Sequence, residues 1–132
     1  MGSFNSIEQA REFFQGDRFA MENGISIDEL EQDGCVCSME IRDSHRNATG
    51  GVMGGAIFTL GDFAFAVAAN NAHLTTVGQQ ANINFFSGSR GSRLFARAKC
   101  RRDGKTTCVY NIDISDDLGR DVAQLVVSCF KL

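Results

Sequence analysis

Apolar and polar positions change period several times along the chain, and each change marks an element. Ile7, Ala10, Phe13 and Phe14 recur at helical spacing behind Ser6, with Gln9 three residues further on, so a short capped helix opens the chain. A brief second turn over 17–22 stops at Asn23-Gly24. Ile25, Ile27 and Leu30 then read as a strand, Asp33-Gly34 as a hairpin turn, and Cys35, Cys37, Met39 and Ile41 as the apolar side of a longer strand. A polar loop follows over 43–51. The pattern then breaks: from Val52 to Ala69 there is one charge, Asp62. Ile57, Leu60, Phe63, Ala64 and Val67 fit one helical face, while Phe58, Phe65, Ala66 and Ala68 fill the other sides. A helix apolar nearly all round is expected to be buried on nearly all sides, Asp62 included. Four strands are read after it: 75–86, with Val77, Gln79, Ala81, Ile83 and Phe85 on one face, then segments centred on Ala96–Ala98, Tyr110–Ile112 and Leu125–Val127.

One helix followed by two strands, an apolar helix and four strands predicts an α+β domain, an antiparallel sheet wrapped around one central helix. No repeat, low-complexity segment or linker interrupts the chain, so residues 1–132 are read as a single domain. A sheet that wraps one helix leaves its edges open, and self-association into a homodimer or homotetramer is expected.

Composition narrows the function classes. With 43% hydrophobic residues in 132 there is enough apolar material for one core, and a net charge of -3 gives no reason to expect nucleic acid. No secretion signal or membrane-spanning run is apparent, so a cytoplasmic protein without a membrane partner is expected. In that setting the five cysteines read as reduced, buried side chains. The two histidines do not supply ligand spacing for a metal, and none is expected. No phosphate-cradling loop of the nucleotide-binding kinds is present.

The candidate chemistry lies at the apolar helix. Gly54-Gly55 stand where its first turn leaves backbone N–H groups unpaired, and glycines there let a developing oxyanion approach the amides. Asp62 follows two turns on, about 11 to 12 Å along the axis. Read structurally, the same residues are tight-packing glycines and a paired acid. His45 reads as a solvated loop residue, and His73 as a histidine suited to a helix C-terminus.

Asn47-x-x-Gly50-x-x-Met53-Gly54-Gly55 followed by Leu60-x-Asp62 resembles the signature of the PaaI-type hotdog-fold acyl-CoA thioesterases, N-x-x-G-x-x-H-G-G followed by L-x-D. The resemblance runs from about Phe13 to the C-terminus and takes in Gly24-Ile25 and Asp103-Gly104-Lys105. It implies a hotdog fold, Asp62 as general base or nucleophile, the Gly54 or Gly55 amide on the thioester oxygen, and Asn47 as orienter from the facing subunit. It also implies substrate contacts at Gly50 and Met53, and a water-holding position that falls on Gly78, Gln79 or Gln80, with Gln79 taken as the substrate contact. Basic side chains, Arg90, Arg93 and Lys105 with Arg101 and Arg102, are implied against the phosphates of coenzyme A. Those five cations read equally as a solvated sheet face. Met53 departs from the family histidine and has no proton to donate to a carbonyl. The implied activity is hydrolysis of an acyl-CoA carrying a small aromatic or short to medium acyl group, with coenzyme A as part of the substrate and no other cofactor. The alternative is a non-catalytic acyl-CoA or fatty-acyl binding module, which Met53 supports and Asp62 opposes.

Overall fold

The alternating segments become β1 (Ile25–Leu30), β2 (Gly34–Glu40), β3 (Thr76–Phe85), β4 (Arg93–Asp103), β5 (Thr107–Asp116) and β6 (Asp121–Lys131) of the computed structural model, which describes residues 2–132. They form one antiparallel sheet in the order β1-β2-β4-β5-β6-β3. Across it lies α3 (Gly54–Ala72), 19 residues and so about 28 Å long. Ile57, Leu60, Phe63, Phe65 and Val67 of α3 are all buried, each worth about 1.5–3 kcal/mol relative to exposure. The sheet meets them with inward residues such as Leu94, Ile112, Ile114, Leu125 and Val127.

At the N-terminus α1 (Ile7–Phe13) is capped by Ser6, whose hydroxyl accepts from the Gln9 N–H. The Gln9 side chain answers the Asn5 N–H, one residue earlier than a capping box requires. Phe4, Phe13 and Phe14 pack ring on ring, and Phe14 carries the stack onto Phe63 of α3. A 3-10 turn then leads to α2 (Arg18–Glu22), which lies against α3.

Three expectations are corrected. A bulge in β3 between Gly78 and Gln80 shifts the pairing with β6, so Val77 pairs with Phe130 while Ala81 and Ile83 pair with the buried Val127 and Leu125. Val77 therefore does not share a face with Ala81, Ile83 and Phe85. Cys108 and Cys129 are directly opposed across β5 and β6, Cα–Cα 5.0 Å, and joined in a disulfide rather than reduced; Cys35, Cys37 and Cys100 are free thiols. Finally, the apolar α3 is not enclosed on every side: Gly55 and Asp62 are exposed, and Thr59 and Ala66 are half-buried. These four recur at helical spacing along one stripe. No helix among the described residues is long and apolar enough to cross a membrane.

Candidate active site

The segment before α3 closes on itself. The Met53 N–H donates to the His45 carbonyl at 2.8 Å, Arg46 bridges Val52, and the Asn47 N–H donates to the Gly51 carbonyl at 2.8 Å. Inside that turn the Asn47 side-chain oxygen accepts from the Thr49 N–H, the Thr49 hydroxyl and the Gly51 N–H. Gly50 sits at φ +89°, a left-handed conformation that a side chain would strain. Within one chain, Asn47 and Gly50 thus build the turn, while the Asn47 side-chain NH2 is not used by it.

The turn delivers Met53 as N-cap of α3 with no side-chain cap. The Met53 carbonyl takes the Ala56 and Ile57 N–H groups. The Gly54 and Gly55 amides have no partner among the described residues and lie at the positive end of the helix dipole. The Phe85 ring lies against Gly54, where an added Cβ would come within 3.0 Å of it.

An apolar pocket of about 320 Å³ opens beside these amides, lined by Phe19, Met39, Met53, Gly55, Ala56 and Thr59 with Asn23, Ser44 and His45. Met53 is 57% exposed there. Phe19 and Thr59 also line a second groove of about 240 Å³ that holds Asp62 and Asp17, so the two lie side by side across those residues. Desolvation, and then the negative charge of Asp17, raise the Asp62 pKa above its ordinary 3.8. Thr59, which a reading for charge and glycine passes over, donates its hydroxyl to the Gly55 carbonyl at 2.8 Å and stands one turn before Asp62. Its place at four residues after Gly55 and three before Asp62 was the available signal.

His45 is not solvated. It is 3% exposed, its Nδ1 accepts from the Arg42 N–H at 3.0 Å, and its Nε2 lies 3.1 Å from the Asn23 side-chain oxygen. Burial, then the charge of Arg42, lower its pKa from 6.5.

The basic residues do not form one cluster in the protomer. Arg93 and Asp103 bound β4, about 33 Å apart at strand rise, so Arg90 and Arg93 lie at one end and Arg101, Arg102 and Lys105 at the other. Arg93 is occupied on the outer sheet face, donating through Nε and Nη2 to the buried Ser38 hydroxyl at 3.1 and 2.9 Å. Gln79 is the bulge residue of β3. None of Gln79, Arg90, Arg93 and Lys105 lines the pocket or the groove.

A wrapped antiparallel sheet, a buried helix whose first amides are free, and a carboxylate farther along that helix define a hotdog thioesterase scaffold. The chain belongs to the thioesterase superfamily, whose pattern matches residues 49–123, and to its PaaI-type branch. It is 32% identical over 122 residues to the acyl-coenzyme A thioesterase PaaI of Escherichia coli K12, covering 92% of this chain and 87% of that one. The structure of the E. coli PaaI protein from the phenylacetic acid degradation operon superposes with a TM-score of 0.89 at 28% identity, over 95% of this chain and 91% of that one. A hypothetical thioesterase of Streptococcus pneumoniae TIGR4, solved with coenzyme A, gives 0.82 at 26% identity, over 89% and 94%.

Proposed function

We propose that the protein hydrolyses an acyl-CoA thioester with a small aromatic or short to medium acyl group. The observation that carries this reading is the unpartnered Gly55 amide, with that of Gly54 beside it, at an apolar pocket on the same uncovered stripe of α3 as Asp62. The amides receive the carbonyl oxygen as it becomes an oxyanion, the pocket takes the acyl group, and Asp62 activates water or attacks the carbonyl carbon itself. Although part of the Asp62 side chain meets solvent, desolvation in the groove and the charge of Asp17 make it a stronger base than an ordinary carboxylate.

Distance decides how many chains one site needs. Asp62 is seven residues beyond Gly55 and eight beyond Gly54, about 10.5 and 12 Å along α3. A reacting carbonyl must lie about 3 Å from the amides and within hydrogen-bond reach of the base or its water, so one chain's amides and its own Asp62 cannot act on the same carbonyl. A second copy resolves this. β3 is an open edge with exposed Val77 and Phe85, and Phe86 follows it. Pairing β3 with its own copy about a twofold axis reverses α3 end for end and carries the amides of one copy toward the Asp62 of the other. In that dimer the unused Asn47 NH2 can reach across the interface. The two basic ends of β4 can also meet one coenzyme A from different copies, Arg90 from one and Lys105 from the other, and the coenzyme bound to the pneumococcal relative is consistent with such a ligand.

The second reading, an acyl-CoA binding module, rests on Met53, which offers the pocket a thioether where an imidazole would give a proton. Thiol release from a panel of acyl-CoAs by the wild type and Asp62→Asn tests both. Turnover is expected from the wild type and is lost in Asp62→Asn, with coenzyme A binding retained by thermal shift. Binding without turnover from either protein selects the module, and unchanged kcat in Asp62→Asn rules out the proposed base.

A further inference from the structure

His45 carries more than a loop position requires. Its main chain forms the base of the turn that delivers α3, through the 2.8 Å bond from the Met53 N–H. Its side chain holds two other segments. The Arg42 N–H points into Nδ1, so that nitrogen is bare and the ring proton sits on Nε2, from which it is donated to the Asn23 oxygen. Asn23 passes the restraint on, its NH2 donating to the Phe19 carbonyl at 2.9 Å. Arg42 adds a parallel tie from its guanidinium to the Glu22 carbonyl at 2.9 Å. The end of α2, with the pocket wall Phe19, is thereby stitched to the turn that aims the Gly54 and Gly55 amides, and His45 is the residue common to both.

We propose that His45 is a positioning residue of the thioester site: one neutral tautomer of its imidazole braces the oxyanion turn against α2, and protonating the ring releases the brace. This rests on the hydrolase reading above for its effect on rate, though not for its effect on structure. A proton on Nδ1 would face the Arg42 N–H, turning an acceptor into a second donor. The groups that surround the ring offer it no compensation. Arg42 on its own segment is cationic, Asn23 from α2 is neutral, and Met39 from β2 with Ala56 and Thr59 from α3 complete the pocket around it. No carboxylate lines that pocket to hold an imidazolium.

Nuclear magnetic resonance on the full chain reads the brace directly. The wild-type ring nitrogens should show the Nε2–H tautomer, and the Gly54 and Gly55 amide signals should shift together with His45 as it titrates below its ordinary value. In His45→Gln, which keeps a side-chain N–H for Asn23 but cannot titrate there, those glycine shifts should vanish. Asn23→Ala, which leaves the histidine in place, should lower kcat about tenfold at neutral pH for small and bulky acyl groups alike, the effect of losing about one hydrogen bond's worth of alignment rather than of a changed pocket wall. An Nδ1–H tautomer, glycine signals indifferent to His45, or an unchanged kcat in an active Asn23→Ala enzyme would overturn the proposal. If the glycines follow His45 but no acyl-CoA is hydrolysed, the brace stands and the hydrolase reading fails.

Discussion

Asp62 owes its basicity to its surroundings, and one of those surroundings can be removed alone. Desolvation comes first and the charge of Asp17 second in raising its pKa. Asp17 occupies the N-cap position of α2 without capping it, so Asp17→Asn removes charge and no cap. In the proposed mechanism Asp62 must be ionised to act as general base, so kcat/KM should rise with pH through its pKa. Asp17→Asn should therefore move the acidic limb of the pH profile to lower pH, and a limb that stays in place would show that Asp17 does not act on the base. Met53 is the other test at this scale. Removing one oxyanion donor typically costs about 10²–10³ in kcat, so a donor restored by Met53→His should raise kcat at constant KM on a small acyl-CoA. Lost affinity for bulky acyl groups would instead mark the thioether as a wall of the acyl pocket. The places of Gly54 and Gly55 in the first turn of α3 and of Asp62 two turns on were legible because their spacing is local and their residue types are unusual in an apolar stretch. His45 was not, because its partner Asn23 is 22 residues away and a lone polar residue in a loop has no periodicity to betray burial. The exposure of Asp62 is not readable from the pattern, because an all-round apolar helix shows how much surface wants cover, not whether one chain supplies it.

Among the elements, the loop before β4 and the turn after β5 are tied by Asp117, which accepts from the Ser92 N–H and hydroxyl, and above all by Asp116. Asp116 is 3% exposed, with Oδ2 accepting from the Ser89 hydroxyl and the Arg90 and Gly91 N–H groups, and Oδ1 from the Leu118 and Arg120 N–H groups. Burial opposes its charge, yet these bonds, led by the Arg90 N–H, bring its pKa down from 3.8 to about 2. Folding thus favours the ionised form, and the contribution is present above pH 3.8 and lost as pH falls toward 2. Asp116→Asn puts an NH2 where N–H groups now point and should cost about 2 kcal/mol at neutral pH, with the gap to wild type closing in acid. Denaturant titrations at two pH values check this, and equal stability at neutral pH would refute it. The same loop carries Arg90, so the variant also tests whether the loop's shape matters to substrate KM. The strands themselves were readable from alternation, but the bulge at Gln79 was not. One extra residue reverses the facing of everything on one side of it, and nothing in the local pattern announces the slip.

At the scale of the molecule, the order of elements followed from period and turn residues, whereas the order of strands did not. Alternation tells which face a residue takes, not which strand lies beside it; that β3 pairs with β6 rather than with its successor β4 is a long-range fact. The fold places β3 last in the sheet, and in the proposed dimer that open edge would tie activity to mass action. If both halves of each site come from different copies, the active species is the dimer, and its fraction falls as the protein is diluted. Specific activity on a saturating acyl-CoA should then be constant at high protein concentration and decline at low concentration, along the same curve that light scattering gives for dissociation. A monomer that keeps full specific activity would break the link. A cell holding this protein at scarce copy number would, on the same grounds, hold little working enzyme, so catalytic output would climb with roughly the square of expression before becoming proportional to it.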